Sequence, residues 1–266
     1  MEYNRDLASQ RILVVNDDSI NAAGLKVLER IANVLSQDVW VVAPHYEQSG
    51  KGYGVSFDTS LRVYQHSKRK FSVAGTPVDN VLVAVQNLMK DRKPDLVLSG
   101  INHGDNACGY RFISGTFNAA LSAAHLSLRS IALSQCCSSP EDIRFTLAEH
   151  FLPGILRKLI VSDEWDADHV LSINFPEASV GEVAGVSIVD PYDYKVNWSV
   201  SDVQHPAGGG NYAWITAHHN TDVMSEQGEW KTLQDKKMIT VAPVLVNHSC
   251  DSAVQESLKD VFAKNV

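Results

Sequence analysis

Apolar residues in this chain fall into short unbroken runs, and the polar stretches between them carry apolar positions at helical spacing. Ile12-Leu-Val-Val is one such run, the signature of a parallel strand covered on both faces. Leu25, Leu28, Ala32 and Leu35 follow three or four apart, which predicts an amphipathic helix. Val39-Trp-Val-Val-Ala predicts a second strand, and the glycine-rich stretch from Pro44 to Gly54 after it is too long for a simple turn. Phe71-Ser-Val-Ala predicts another strand. Thr76 or Gly75 is placed to cap a helix with Pro77 in its first turn and Val81, Val85 and Leu88 on its apolar face. Asp95-Leu-Val-Leu predicts a strand, Gly100 to Gly115 a loop, Thr116 the opening of an Ala-rich helix, and Ile131-Ala-Leu one strand more.

This alternation, free of internal repeats, predicts a doubly wound, mainly parallel sheet over residues 11 to 135. Val170-Leu-Ser-Ile-Asn adds a candidate strand. Residues 183 to 235 are rich in aromatics, glycine and polar residues without clear period, and β-hairpins are expected there. Met238-Ile-Thr-Val is read as a final strand, and Asp251 to Lys264, with Val254, Leu258 and Phe262 four apart, as a C-terminal amphipathic helix. The expected organisation is one α/β domain across 1–266, with a core over 11–182, a hairpin extension over 183–235, and the last strand and helix over 236–266.

Charge narrows the function classes. A net charge of -8 and a pI near 5.6 argue against a nucleic-acid polymer as partner, so any phosphate must be met by a local site. The first residues carry acids where a leader needs a basic start and an apolar run, and no stretch is apolar for long enough to span a bilayer. A cytoplasmic location and no membrane partner are expected. Cys108, Cys136, Cys137 and Cys250 show no metal or disulfide spacing and read as reduced, small apolar residues.

In doubly wound sheets, ligands bind beyond the carboxyl ends of the strands. Three polar loops lie at such ends: Asn16-Asp17-Asp18-Ser19, Gln48-Ser49-Gly50 and Ser99-Gly100-Ile101-Asn102. Asp17, Asp18, Ser49 and Asn102 supply two carboxylates, a hydroxyl and an amide carbonyl, an all-oxygen set that suits Mg²⁺ or Mn²⁺. The alternative for Asp17 and Asp18 is a pair of helix-capping acids. Ser114-Gly115-Thr116 opens a helix, where backbone N–H groups and hydroxyls suit a phosphate; simple capping by Ser114 is the alternative. Lys51 and Arg111 lie in the long loops, either as phosphate-neutralising cations or merely solvated. His103, beside Asn102, is a secondary acid–base candidate, an exposed loop histidine being the commoner outcome.

Taken in order, these motifs resemble the SurE family of metal-dependent 5′-nucleotidases. Val15-Asn16-Asp17-Asp18 resembles its NDD, Ala43-Pro44 through Gln48-Ser49-Gly50 its AP…QSG, and Gly75-Thr76-Pro77-Val78-Asp79 its GTPxD. Pro94 through Asn102 resembles its PDLVxSGIN, Gly104-Asp105-Asn106 its GxN and Ser114-Gly115-Thr116 its SGT. The resemblance implies a Rossmann-like fold with helices on both faces of the sheet. It also implies one divalent metal ion, Mg²⁺ or Mn²⁺, per subunit on Asp17, Asp18, Ser49 and Asn102. Asn106, Ser114, Gly115 and Thr116 are the implied phosphate contacts. The implied substrates are nucleoside 5′-monophosphates, often 3′-monophosphates, and for some members short polyphosphate; the implied assembly is a homodimer or homotetramer. Ser19, Asn80, Ile113 and Ser122-Ala123 depart from the pattern, standing where glycine, cysteine, tyrosine and a Glu-Gly pair are usual.

Asp17 is the expected group to orient or deprotonate the attacking water, with Asp18 beside it in the catalytic pair. The rival from another class is a non-catalytic Mg-nucleotide-binding module. An aspartyl-phosphate mechanism fits less well, since that chemistry uses acids two apart and these are adjacent.

Overall fold

The computed structural model describes residues 6–138, 144–162, 164–191, 196–204, 210–219 and 224–247. Its first strand, β1 (Arg11–Val15), alternates its side chains between two cores. Ile12 and Val14 enter the core under helix α1 (Ala23–Leu35), while Leu13 and Val15 enter the one on the opposite face. This two-sided burial is why the strand reads as an unbroken apolar run. The chain continues through β2 (Asp38–Pro44), β3 (Val63–Ser67), β4 (Lys70–Val73), α2 (Pro77–Val83), β5 (Leu96–His103), α3 (Gly115–His125) and β6 (Arg129–Gln135). It ends with α4 (Thr146–Val161), β7 (His169–Phe175), β8 (Gly185–Ile188), β9 (Asn197–Val200), β10 (Ile215–His218), α5 (Glu229–Gln234) and β11 (Met238–Leu245).

Nine strands form one sheet in the order β3-β4-β2-β1-β5-β6-β7-β11-β8, and β9 and β10 form a separate antiparallel pair. The pairings from β4 through β7 are parallel, while β3 runs against β4 and β11 against β7. α1 and α4 cover one face, α2 and α3 the other. α1 steps along the sheet in one direction and α2 and α3 in the other on the opposite face, so these crossovers share a hand. α4 steps with α2 and α3 but lies on α1's face, so β6–α4–β7 has the opposite hand, a rare arrangement.

The chain leaves β1 for β2 on one side and later enters β5 on the other. The crevice beyond the carboxyl ends of β1 and β5 is therefore the switch point where such sheets bind ligands. The close approach of α1 to that edge requires Gly24, where a Cβ would stand 2.0 Å from the carbonyl oxygen of Ile101. α2 opens as expected: Thr76 is the N-cap, and it exchanges hydrogen bonds with Asp79 in a capping box with Pro77 at the first turn.

Some expectations need correction. Residues 183–235 are not all hairpin: β9 and β10 pair, but β8 joins the main sheet beside β11, and α5 lies within the segment. The loop expected from Gly100 to Gly115 is shorter, because β5 runs on to His103 and a 3-10 turn covers Cys108–Phe112. The expected C-terminal helix over 251–264 lies outside the described residues, as does Cys250.

Candidate active site

Asp17 and Asp18 follow the end of β1 at the switch point, where Asp17 lines the cavity and Asp18 does not. Neither caps α1, whose N-cap is Ala22 without a side-chain bond, so the capping alternative fails for the helix that follows them. The turn is held instead by Asn16, whose Nδ2 donates to the carbonyl oxygen of Ser19 at 2.9 Å. Ser19 itself has φ 99°, a conformation that favours glycine.

Backbone bonds tie this turn to the loop after β2. Gln48 N–H donates to the Asp17 carbonyl at 2.8 Å and Ile20 N–H to the Pro44 carbonyl at 2.8 Å. Ser49 is thereby brought to the crevice, its own N–H donating to Glu47 Oε1 at 2.5 Å. Across the crevice, Asn102 Nδ2 donates to the carbonyls of His103 and Gly104 at 3.1 and 3.0 Å. The amide nitrogen has to face those acceptors, so the oxygen Oδ1 is left to point inward.

The start of α3 closes the site. Ser114 is its N-cap, its hydroxyl oxygen accepting from Phe117 N–H at 2.9 Å, and it also lines the cavity. Thr116 is fully buried, and its hydroxyl donates to Asp17 Oδ1 and lies 3.3 Å from Asn102 Oδ1. That hydroxyl is therefore engaged with Asp17. Gly115 leaves room for Asp17: a Cβ there would stand 2.7 Å from Asp17 Cβ. Asn106 is buried, with its N–H on Asn174 Oδ1 at 2.9 Å and Nδ2 on Ser134 Oγ at 2.8 Å; a second amide N–H remains.

Together Asp17, Ser49, Asn102, His103, Asn106 and Ser114 line a cavity of about 280 Å³. Lys51 is exposed and outside that lining. Arg111 is neither solvated nor available to a phosphate: it is buried, 2.5 and 2.6 Å from the two carboxylate oxygens of Glu229. Nothing in the local sequence signals this partner.

The electrostatics of the cavity are acidic. Burial pushes the Asp17 carboxyl up, against bonds from Thr116. Burial first, then the neighbouring Asp17 and Glu47, push Asp18 up to about 8. Asp18 Oδ2 is buried without a hydrogen-bond partner. His103 Nδ1 stands 3.7 Å from Asp18 Oδ1, and burial lowers the imidazole pKa, so the ring is neutral near pH 7. One buried acid, a second partly buried acid with an orphaned oxygen, and an inward amide oxygen fit a hard divalent cation. Among the described residues no group of three or more His, Cys, Asp or Glu side chains is arranged for a metal, so neutral oxygens such as Ser49 and Asn102 have to complete the set.

Comparison with known families bears on this arrangement. The family model described as survival protein SurE matches residues 12–197, which include every residue of the cavity lining. The chain belongs to the SurE family. Among its relatives, the 5′-nucleotidase SurE of Paramagnetospirillum magneticum is 42% identical over 217 residues, covering 82% of this chain and 83% of that one. The 5′-nucleotidase SurE of Phenylobacterium zucineum is 39% identical over 244 residues, covering 92% and 94%. A SurE protein crystal structure from Aquifex aeolicus superposes with a TM-score of 0.80 at 26% identity, covering 95% of this chain and 99% of that one. The places where this SurE-family chain departs from the family pattern have local explanations in part. Asn80 is buried and donates to the Thr76 carbonyl at 2.7 Å, and Ser122 Oγ donates to the Ala119 carbonyl at 2.8 Å.

Proposed function

We propose that this chain is a cytoplasmic, metal-dependent phosphomonoesterase that releases phosphate from nucleoside 5′-monophosphates, with 3′-monophosphates and short polyphosphate as further substrates. Support for the substrate class comes from relatives named 5′-nucleotidase SurE. The observation that carries metal dependence is Asp18 Oδ2, buried without a partner beside a second buried carboxylate. One Mg²⁺ or Mn²⁺ per subunit is held by Asp17, Asp18, Ser49 and Asn102.

When bound, the cation supplies Lewis-acid polarisation of a phosphate oxygen and makes a nearby water more acidic. The chain's own residues do the rest. The start of α3 turns its positive end to the phosphate, with Ser114 and the remaining N–H of Asn106 at the cavity wall. Thr116 holds Asp17 in place. His103 is better placed than Asp17 to take the proton from the attacking water, because its ring is neutral and lines the cavity while Asp17 Oδ1 already accepts from Thr116.

A phosphate-release assay across nucleoside monophosphates, run after chelation and dialysis, tests this reading. No release in excess chelator and recovery with Mn²⁺ or Mg²⁺ is expected; undiminished turnover in chelator contradicts metal dependence, and binding without release leaves the nucleotide-binding module. Assembly as a homodimer or homotetramer is proposed through the β9–β10 pair, where Trp198 is 56% and Ile215 71% exposed. A monodisperse monomer by light scattering at micromolar concentration contradicts it.

A further inference from the structure

The cavity lining includes groups besides those assigned to metal and phosphate. Asp105 and Tyr110 are two of them, and neither has a role in the chemistry above. We infer that they form the nucleoside subsite, with the Asp105 carboxylate accepting hydroxyl hydrogens of a ribose and the Tyr110 ring forming the wall beside the sugar and base. This inference rests on the phosphomonoesterase reading and names the part of the substrate that the reading leaves open.

The geometry supports a prebuilt acceptor. Asp105 Oδ1 accepts from Ala107 N–H at 3.1 Å, and Oδ2 lies 3.3 Å from His219 Nε2. These two contacts engage one side of each carboxylate oxygen, and a carboxylate with roughly four acceptor directions keeps others for donors entering the cavity. A bound phosphate at the start of α3 repels this carboxylate, so the group placed next to it has to be an uncharged donor. Ribose hydroxyls meet that requirement.

The wall is equally fixed. The Tyr110 ring packs 4.5 Å from the His219 imidazole, which stacks 3.6 Å from the Trp230 indole. Tyr110 and Trp230 are the sequence neighbours of Arg111 and Glu229, the buried ion pair. Glu229 also accepts from Cys108 N–H at 2.8 Å and Asn174 Nδ2 at 3.1 Å. The pair thus pins both aromatic residues through the backbone. It gives a buried charge pair, otherwise expensive to keep, a reason to lie behind this wall. His219 acts on the substrate only through Asp105 and Tyr110 and is a positioning residue.

The experiment measures kcat/KM of the full chain with Mn²⁺ for adenosine 5′-monophosphate, its 2′,3′-dideoxy counterpart and β-glycerophosphate. Hydrogen bonds to a charged acceptor contribute about 1.5–3 kcal/mol, so the ribo-to-dideoxy ratio is expected to be about tenfold to a hundredfold in the wild type. Asp105→Ala should bring that ratio to near one, and Asp105→Asn, which keeps the shape, to an intermediate value. His219→Gln should lower the same ratio, a change that simple loss of folded protein cannot produce. Tyr110→Ala should lower the ratio of adenosine 5′-monophosphate to β-glycerophosphate. A wild-type ribo-to-dideoxy ratio near one, or a ratio unchanged in Asp105→Ala, overturns the inference; if the alanine variant does not fold, an unchanged ratio in Asp105→Asn does so. A wild type that releases phosphate from none of the three overturns the phosphomonoesterase reading instead.

Discussion

The hydroxyl of Thr116 donates to Oδ1 of Asp17, joining the first turn of α3 to the end of β1. It is a buried bond to a carboxyl group, and the same hydroxyl oxygen lies 3.3 Å from Asn102 Oδ1. Removing it with Thr116→Val leaves a buried carboxylate short of a donor, which costs about 1–3 kcal/mol. The expected result is a lower melting temperature and a higher Mn²⁺ requirement for phosphate release, with Thr116→Ser close to wild type in both. An unchanged Mn²⁺ titration in the valine variant contradicts the role assigned to this hydroxyl.

Stability of the metal-free protein should depend on pH through the acid pair. Asp18 is pushed up to about 8 in the folded state from 3.8. Between those values the folded protein holds a proton that the unfolded chain has lost. Its contribution to stability is complete below pH 3.8 and declines as pH rises towards 8, the slope of unfolding free energy being negative there. Melting scans in chelator should show a falling melting temperature from pH 5 to pH 8, flattened in Asp18→Asn. Saturating Mn²⁺ should also flatten it, because the cation favours the charged form. A flat wild-type profile in chelator contradicts the assignment.

Ser19 adopts φ 99° where family members usually carry glycine. Strain of this kind in a non-glycine residue costs on the order of 1–3 kcal/mol. Ser19→Gly should therefore raise the melting temperature, offset in part by the greater freedom of glycine in the unfolded chain. Calorimetry of the two proteins decides; a lower melting temperature for the glycine variant counts against strain at this turn.

How much was legible in the sequence follows from where each element sits. β1, β2 and β5 are covered on both faces, so their apolar runs announce them, and Thr76 with Pro77 and Asp79 announces α2 through local bonds. β3 has every residue exposed and offers no pattern. α4 is masked in the sequence by Pro153 inside it, a residue that argues against a helix interior. At the site, the loops at strand ends pointed to Asp17, Asp18, Ser49 and Asn102, because the switch point brings strand ends together. The duty of Thr116 towards Asp17 and the burial of Arg111 by Glu229 were not readable, since each depends on a partner 99 or 118 residues away.

Arg111→Met should strand the Glu229 carboxylate in the interior, and breaking a buried pair in this way costs about 3–5 kcal/mol. Adding Glu229→Gln removes the charge while keeping an acceptor for Cys108 and Asn174, and should restore part of the loss. Urea unfolding of the two variants and the double variant tests this. A double variant less stable than Arg111→Met alone contradicts a charge-burial penalty.

The distance along the chain between Arg111 and Glu229 has a consequence for synthesis. Asp17, Ser49, Asn102 and Ser114 all leave the ribosome early, and the strands that present them can pair as they emerge. Glu229, which locks the segment holding Asn106 and Tyr110, is made far later, together with the β11 that it borders. Until then Arg111 faces a gap where its carboxylate partner belongs, and the growing chain holds the acids of its site without the finished wall around them. The wall beside the acids is therefore completed only once Glu229 has been made, more than a hundred residues after Arg111.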